Sequence, residues 1–185
     1  MVTYNGKVQV KRNNRRPEVL TNWGQEFVIE FEIMVKRKTN GVLNVFQLTK
    51  GDENDRIPSL NIQSSNEFLF SSFVNGNRNF KIRYKFELQK THNVKISQND
   101  SGLYCIEING VVHHCTQNNT PMNFDKVFVY VSNPWNKAFS KSFGELKNLK
   151  ISGQKSMLGK GPSINYVVSK SAIFDPLPPP CCLFY

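Results

Sequence analysis

The chain has 185 residues, 24 Lys and Arg against 14 Asp and Glu, and a formal net charge of +10. At 39% hydrophobic and 12% aromatic it holds enough apolar surface for a packed core, which excludes a disordered chain, and its length suits one domain with terminal extensions. No apolar run approaches the roughly 20 residues of a membrane-spanning helix, and no hydrophobic signal core opens the chain, so a secreted form would need a signal that this sequence does not carry.

Residues 1–17 contain Lys7, Lys11, Arg12, Arg15 and Arg16 and no acid, and Lys7 to Val10 suits an edge strand. From Glu26 to Val35, Phe27, Ile29, Phe31, Ile33 and Val35 alternate with a face carrying Glu30 and Glu32, the period of a half-buried antiparallel strand. Val42 to Thr49 and Glu67 to Val74 are further strands. Asn79 to Leu88 repeats the alternation, with Phe80, Ile82, Tyr84, Phe86 and Leu88 opposed to Lys81, Arg83, Lys85 and Glu87, so Phe31 and Tyr84 are both expected inside. Asn93 to Gln98, Leu103 to Ile108, Val111 to Cys115, Lys126 to Ser132 and Leu146 to Ser152 complete the strands, and none has a helical period.

Turn residues separate them: Thr39-Asn40-Gly41, Asn75-Gly76-Asn77, Asp100-Ser101-Gly102 and Asn109-Gly110 each offer a site for positive φ. So many short strands with one apolar face each, and no amphipathic helix to cover them, predict an all-β sandwich or barrel rather than an open sheet. The domain is expected to span residues 1–152. Residues 153–185, with Gly153-Gln154-Lys155-Ser156 and then Pro176-Leu177-Pro178-Pro179-Pro180, read as a partly irregular C-terminal extension.

Several groups recur in one order: Trp23-Gly24-x-Glu26, Asn44-Val45-x-Gln47-Leu48-Thr49 followed by Gly51-Asp52, Asp55-Arg56-Ile57-Pro58, and Val74-Asn75-Gly76-Asn77. The order continues with His92-Asn93-Val94-Lys95-Ile96-Ser97-Gln98, Ile108-Asn109-Gly110, Val127-x-Val129-Tyr130-Val131-Ser132-x-Pro134-Trp135, and Gly144-x-Leu146-Lys147-Asn148-Leu149. Over roughly residues 20–152 this pattern resembles the laminin-G-like, concanavalin A-like jelly-roll modules of secreted animal proteins, among them uncharacterised proteins of the coral skeletal organic matrix. The resemblance implies a two-sheet antiparallel jelly roll, a secreted location, and a non-enzymatic binding or matrix role; it fixes no ligand, and glycans or anionic matrix are the expected partners. A lectin in the strict sense is the alternative and a glycoside hydrolase the third possibility, because fold does not fix function. The polar turn residues that it singles out, Asp52, Asp55, Arg56, Asn75, Asn77 and Asn109, are the expected ligand-binding set, although Asn and Asp also serve simply to make turns.

Chemistry-bearing residues fill in this outline. Cys105 and Cys115 flank Asn109-Gly110: a three-residue loop sets them opposite each other as a disulfide, whereas a two-residue turn pairs Tyr104 with Cys115 and leaves them off-register. Cys181 and Cys182 have no metal-site spacing and suit free or intermolecular thiols. Gly51-Asp52-Glu53-Asn54-Asp55 offers oxygen donors to Ca²⁺, with Asp52 and Asp55 as candidate ligands, against the alternative of a solvated turn shaped by an Asp55–Arg56 pair.

Glu26, Glu30 and Glu32 give an incomplete version of the acidic strand of concanavalin-like hydrolases, whose retaining members need two carboxyls about 5 to 5.5 Å apart. His92, His113 and His114 are scattered, and alternation puts the tandem pair on opposite strand faces, so they predict no metal centre. Asn99-Asp100-Ser101 and Asn118-Asn119-Thr120 match the glycosylation sequon. Basic residues gather at 7–16, Lys36-Arg37-Lys38, 78–90 and 137–160, a surface for sulfated glycans or anionic matrix. Nucleic acid is disfavoured because the aromatic residues alternate into the core instead of forming a stacking platform.

Overall fold

The computed structural model describes residues 17–52, 54–132, 137–140, 142–154 and 164–167. Its strands are β1 (Glu18–Trp23), β2 (Glu26–Val35), β3 (Leu43–Thr49), β4 (Ser59–Gln63), β5 (Glu67–Val74), β6 (Asn77–Lys85) and β7 (Thr91–Gln98). They continue with β8 (Leu103–Ile108), β9 (Val111–Gln117), β10 (Phe124–Val131), β11 (Lys137–Ala138), β12 (Gly144–Gln154) and β13 (Ile164–Val167), and no helix occurs among the described residues. One sheet, A, has the order β1-β10-β3-β4-β5-β6 with β11 beside β3, and the other, B, has the order β13-β12-β2-β7-β8-β9. All pairings are antiparallel except the short β11–β3 contact.

The period-two reading places the core. In β2 all five apolar positions of the alternation are buried while Val28, Glu30, Glu32 and Met34 are half-buried on the other face. Register aligns these positions into rows: Ile151, Ile29, Ile96, Ile106 and His114 across sheet B, and Val131, Phe46, Leu60, Phe70 and Ile82 across sheet A. The sheets meet through them, with the Phe31 and Phe46 rings edge to face at 5.4 Å. Phe31 is buried as expected. Tyr84 is only partly buried, because β6 is the outermost strand of sheet A and its inner side chains lack neighbours on one side.

Other departures have local causes. β6 ends at Lys85, so Phe86 reaches the core from beyond the strand. In β1, Leu20 and Trp23 are both buried although three residues apart; Asn22 at φ 58 turns the chain so that Trp23 faces inward. β4 alternates Leu60 and Ile62 with Ser59 and Asn61, too few apolar positions to stand out from a loop. The boundary expected at residue 152 falls inside β12, which runs to Gln154, and β13 adds Ile164–Val167 to the same sheet, so the sandwich extends beyond it. The expected strand at Lys7 to Val10, the Pro-rich stretch and Cys181-Cys182 lie outside the described residues.

The hairpin β8–β9 resolves the two cysteine registers in a third way. Asn109 and Gly110 make a two-residue turn at φ 54 and 78, with Ile108 opposite Val111. A β-bulge follows: Glu107 pairs with Val112 but Ile106 with His114, leaving His113 as the extra residue. That one-residue shift brings Cys105 opposite Cys115, and they form a disulfide. It also corrects the face expected for the histidines. His113 contacts Tyr84 and His114 contacts Phe80, two residues of the inner face of β6, so both rings point toward sheet A.

At the end of β12, Trp23 stacks on Phe27 at 5.3 Å, and a Cβ added at Gly153 would lie 2.6 Å from the Trp23 ring. Gly153→Ala is therefore expected to lower stability by about 3 kcal/mol in urea denaturation. A loss below about 0.5 kcal/mol would show that the indole has room to move.

Candidate functional site

Five of the six expected ligand residues gather at one end of sheet A, in the β3–β4 loop and the β5–β6 turn. Each has a structural occupation. Asp52 Oδ1 accepts from Asn54 N at 2.8 Å, the Asp52 carbonyl accepts from Thr49 Oγ1, and the Asp55 carbonyl accepts from Gln47 Nε2 at 2.9 Å. The loop is thus tied to β3 through two backbone carbonyls, and one carboxylate oxygen of Asp52 is taken up within the loop. Among the described residues no group of three His, Cys, Asp or Glu side chains is placed to hold a metal. Arg56 does not turn back to Asp55; its Nη1 donates to Asn79 Oδ1 at 2.8 Å, and Asn79 is in turn oriented by its own N–H on Asn77 Oδ1.

Asn75 joins a network of amides that closes this end of the sandwich. Its Nδ2 donates to the Gln117 carbonyl at 2.8 Å, its N–H donates to Asn118 Oδ1 at 2.9 Å, and its Oδ1 accepts from Asn119 N. Asn118 is only 2% exposed and donates both amide hydrogens, to the Phe73 carbonyl and to Gln98 Oε1. In this fold a glycan on Asn118 has no way out, which corrects the expectation from its sequon. Asn99 is exposed, and its Oδ1 accepts from Leu103 N and Ser101 Oγ. Gln98, a strand end in the sequence, is the buried hub of this network, and no sequence signal marks it.

Asn109 stands apart at the opposite end. Its Oδ1 accepts from Asn93 N at 2.9 Å and its Nδ2 lies 3.5 Å from His92 Nδ1, so it fastens the β8–β9 turn to β7.

Glu30 and Glu32 line a groove of about 550 Å³ on the outer face of sheet B with Asn93, Lys95, Glu107, Asn148 and Lys150. Register sets Lys150, Glu30, Lys95 and Glu107 in one row, so charge alternates from strand to strand. Asn148, at φ 53 in a β12 bulge, donates to Glu32 Oε1 at 2.7 Å. The two carboxylates are thereby each faced by a donor or a cation.

The basic clusters differ in what they touch. Lys36 pairs with Glu145 at 2.6 Å and, with Lys147, holds the Glu145 carboxyl below its ordinary value. Arg37 lies over the Phe143 ring at 4.5 Å, and Lys126 over Phe128 at 5.0 Å. On β6, Lys81, Arg83 and Lys85 are exposed on the outer face and, among the described residues, have no salt bridge or ring partner.

No protein-family model matches the chain, and the comparison with curated proteins gives no significant match. Among solved structures, the binding domain of botulinum neurotoxin serotype G is similar with a TM-score of 0.52 at 13% identity, over 74% of this chain and 35% of that one. The sialidase of Trypanosoma rangeli is similar with a TM-score of 0.52 at 12% identity, over 70% of this chain and 21% of that one. The fold is a jelly-roll sandwich. A heptameric SAP-like pentraxin from Limulus polyphemus is also similar, with 15% identity, a TM-score of 0.48, and coverage of 76% of this chain and 71% of that one. The jelly roll spans about a third of the toxin domain and about a fifth of the sialidase, and at these identities the likeness concerns architecture alone.

Asn118→Ala would strand the Phe73 carbonyl, Gln98 Oε1 and Asn75 N without partners. The expected loss is more than about 2 kcal/mol in chemical denaturation. Unchanged stability would mean that water replaces the amide.

Proposed function

We propose that this jelly roll is a secreted, non-enzymatic binding module whose partner is an anionic glycan laid along the outer face of β6. The observation that carries this is the row Lys81, Arg83 and Lys85: exposed, unengaged cations at alternate positions of a sheet-edge strand, about 6.8 Å from one to the next. Arg56, held by Asn79, lies at the same end of sheet A as the start of that strand. Glu67, opposite Lys85, is the acid that the register places beside the row. A repeating sulfate or carboxylate polymer suits such a line of point charges, and the net charge of +10 draws it in. A nucleic acid would want rings for its bases to stack on, and the outward positions of this strand are basic instead.

The cross-strand disulfide supports an oxidising compartment, hence secretion. No helix among the described residues is long and apolar enough to cross a membrane. Kinship with laminin-G-like modules, including those of coral skeletal matrix, rests on the order of the eight sequence motifs. Calcium has no part in this reading: the Asp52 and Asp55 carbonyls are taken up by Thr49 and Gln47, which argues against the loop as a cation site. A second reading, a lectin for a defined sugar, is favoured by the sheet B groove, whose carboxylates, amides and lysines suit a hydroxylated ligand.

Binding to a heparin-type sulfated glycan, followed by calorimetry, should weaken steeply between low and physiological salt because exposed charges are screened. Replacing Lys81, Arg83 and Lys85 together by Ala should weaken it by about tenfold or more, and chelator should not change it. Binding that ignores both salt and the triple substitution, or that needs calcium, would overturn the assignment. Loss on Glu30→Ala instead would move the site to the groove.

A further inference from the structure

On one side the sandwich ends in β6 of sheet A and β9 of sheet B, and rings bridge the two strands. Tyr84 meets His113 at 4.6 Å and Phe80 meets His114 at 5.8 Å. Behind them His92 sits among Phe68 at 5.7 Å, Tyr84 at 6.1 Å and Phe86 at 6.4 Å. The chain has three histidines, and all three lie in this one seam. Two ring nitrogens, His92 Nε2 and His114 Nε2, are buried with no hydrogen-bond partner. A neutral imidazole tolerates that surrounding, whereas an imidazolium must bury a charge and leave a donor unmet.

Of the groups facing His92, Glu87 favours such a charge through its backbone and its carboxylate, and burial outweighs it. From β5 comes Phe68, from β6 the inward Phe80 and Tyr84, and from β8 Tyr104, which lies 6.2 Å from Phe80 and has its hydroxyl on Ser72. The β8–β9 turn supplies the neutral Asn109. The β6–β7 connection supplies Glu87 and Lys90, and Glu87 is already paired with Lys90 at 3.0 Å. On the outside of β6 stand Lys81, Arg83 and Lys85, cations again.

We propose that this histidine seam is an acid-sensitive closure: on gaining protons it parts β6 from β9 and exposes the aromatic interior between the two sheet edges. The disulfide between Cys105 and Cys115 holds β9 to β8, so the yielding partner is β6. The direction of the linkage agrees. Burial is the main cause holding His92 below its ordinary value; Lys90 adds to this, and the Glu87 backbone opposes it. The closed form therefore takes up a proton less readily than the open one. Its advantage is complete above the open-state value of about 6.5 and is lost as pH falls through the lower value of the closed state.

Hydrogen exchange of the full oxidised chain, corrected for intrinsic rates and read by mass spectrometry at about pH 7.5 and about pH 5.5, tests this. Protection in β6 and along β9 should fall by up to about tenfold per proton and pH unit while β2 and β12 stay protected. A variant carrying His92→Phe, His113→Gln and His114→Gln should keep its β6 protection at both values. Unchanged protection of wild-type β6, or an equal acid loss in the variant, would overturn the proposal. Should the variant not fold, the wild-type imidazole signals decide by nuclear magnetic resonance. Opening must follow protonation of His92, and opening that instead follows carboxylates near about pH 4 refutes the seam. Glycan binding is not read in either measurement, so its failure and that of the seam are separate results.

Discussion

Two facing rows of apolar side chains, Ile151 to His114 across sheet B and Val131 to Ile82 across sheet A, must be kept against each other for any other part of this molecule to hold its place. They are continuous because register pairs like with like over five strands in each sheet, and each buried side chain contributes about 1.5 to 3 kcal/mol. Where the rows run out, at β6 and β9, burial is incomplete and the chain changes chemistry. Ile82 and Tyr84 are half covered, and the sheet B row ends in a histidine rather than an isoleucine. The most sensitive part of the structure is thus the place where the hydrophobic ladder has no further neighbour.

That edge is also where charge collects. β6 shows aromatic side chains to the core and cations to solvent from successive residues, the arrangement that keeps an exposed edge strand from pairing with another chain. The same three cations give the strand its affinity for anions in the reading above. At β9 the blunting device is different: a bulge interrupts the edge at His113, and Val111 and Val112 are left 58% exposed beside the turn.

Most strands were legible in the sequence because one apolar face and one polar face leave an unmistakable alternation, as in β2. β1 was not, since a positive φ at Asn22 breaks the alternation, and neither was β4, with two apolar positions. The disulfide partners were legible but their register was not, because a bulge is an event of backbone geometry that leaves no mark in residue type. The site fared unevenly. Asp52, Asn75, Asn77 and Asn109 were found as turn residues, and turn-making is the part they play, whereas Gln98 and Asn79 hold partners 20 and 23 residues away and become visible only when the sheets are assembled.

The amides that close the ends of the sandwich carry a liability set by their neighbours in the chain. Asn75 and Asn109 are each followed by a glycine and each stands at positive φ, Asn75 at 51 and Asn109 at 54. An Asn-Gly pair is the sequence most prone to lose ammonia, and Asn is among the residues that heat damages first. At Asn75 the change would put an oxygen where an N–H now donates to Gln117, turning an attraction into a repulsion between two acceptors. Hydrolysis of a single side chain at either end would thus loosen a closure of the sandwich without touching its core.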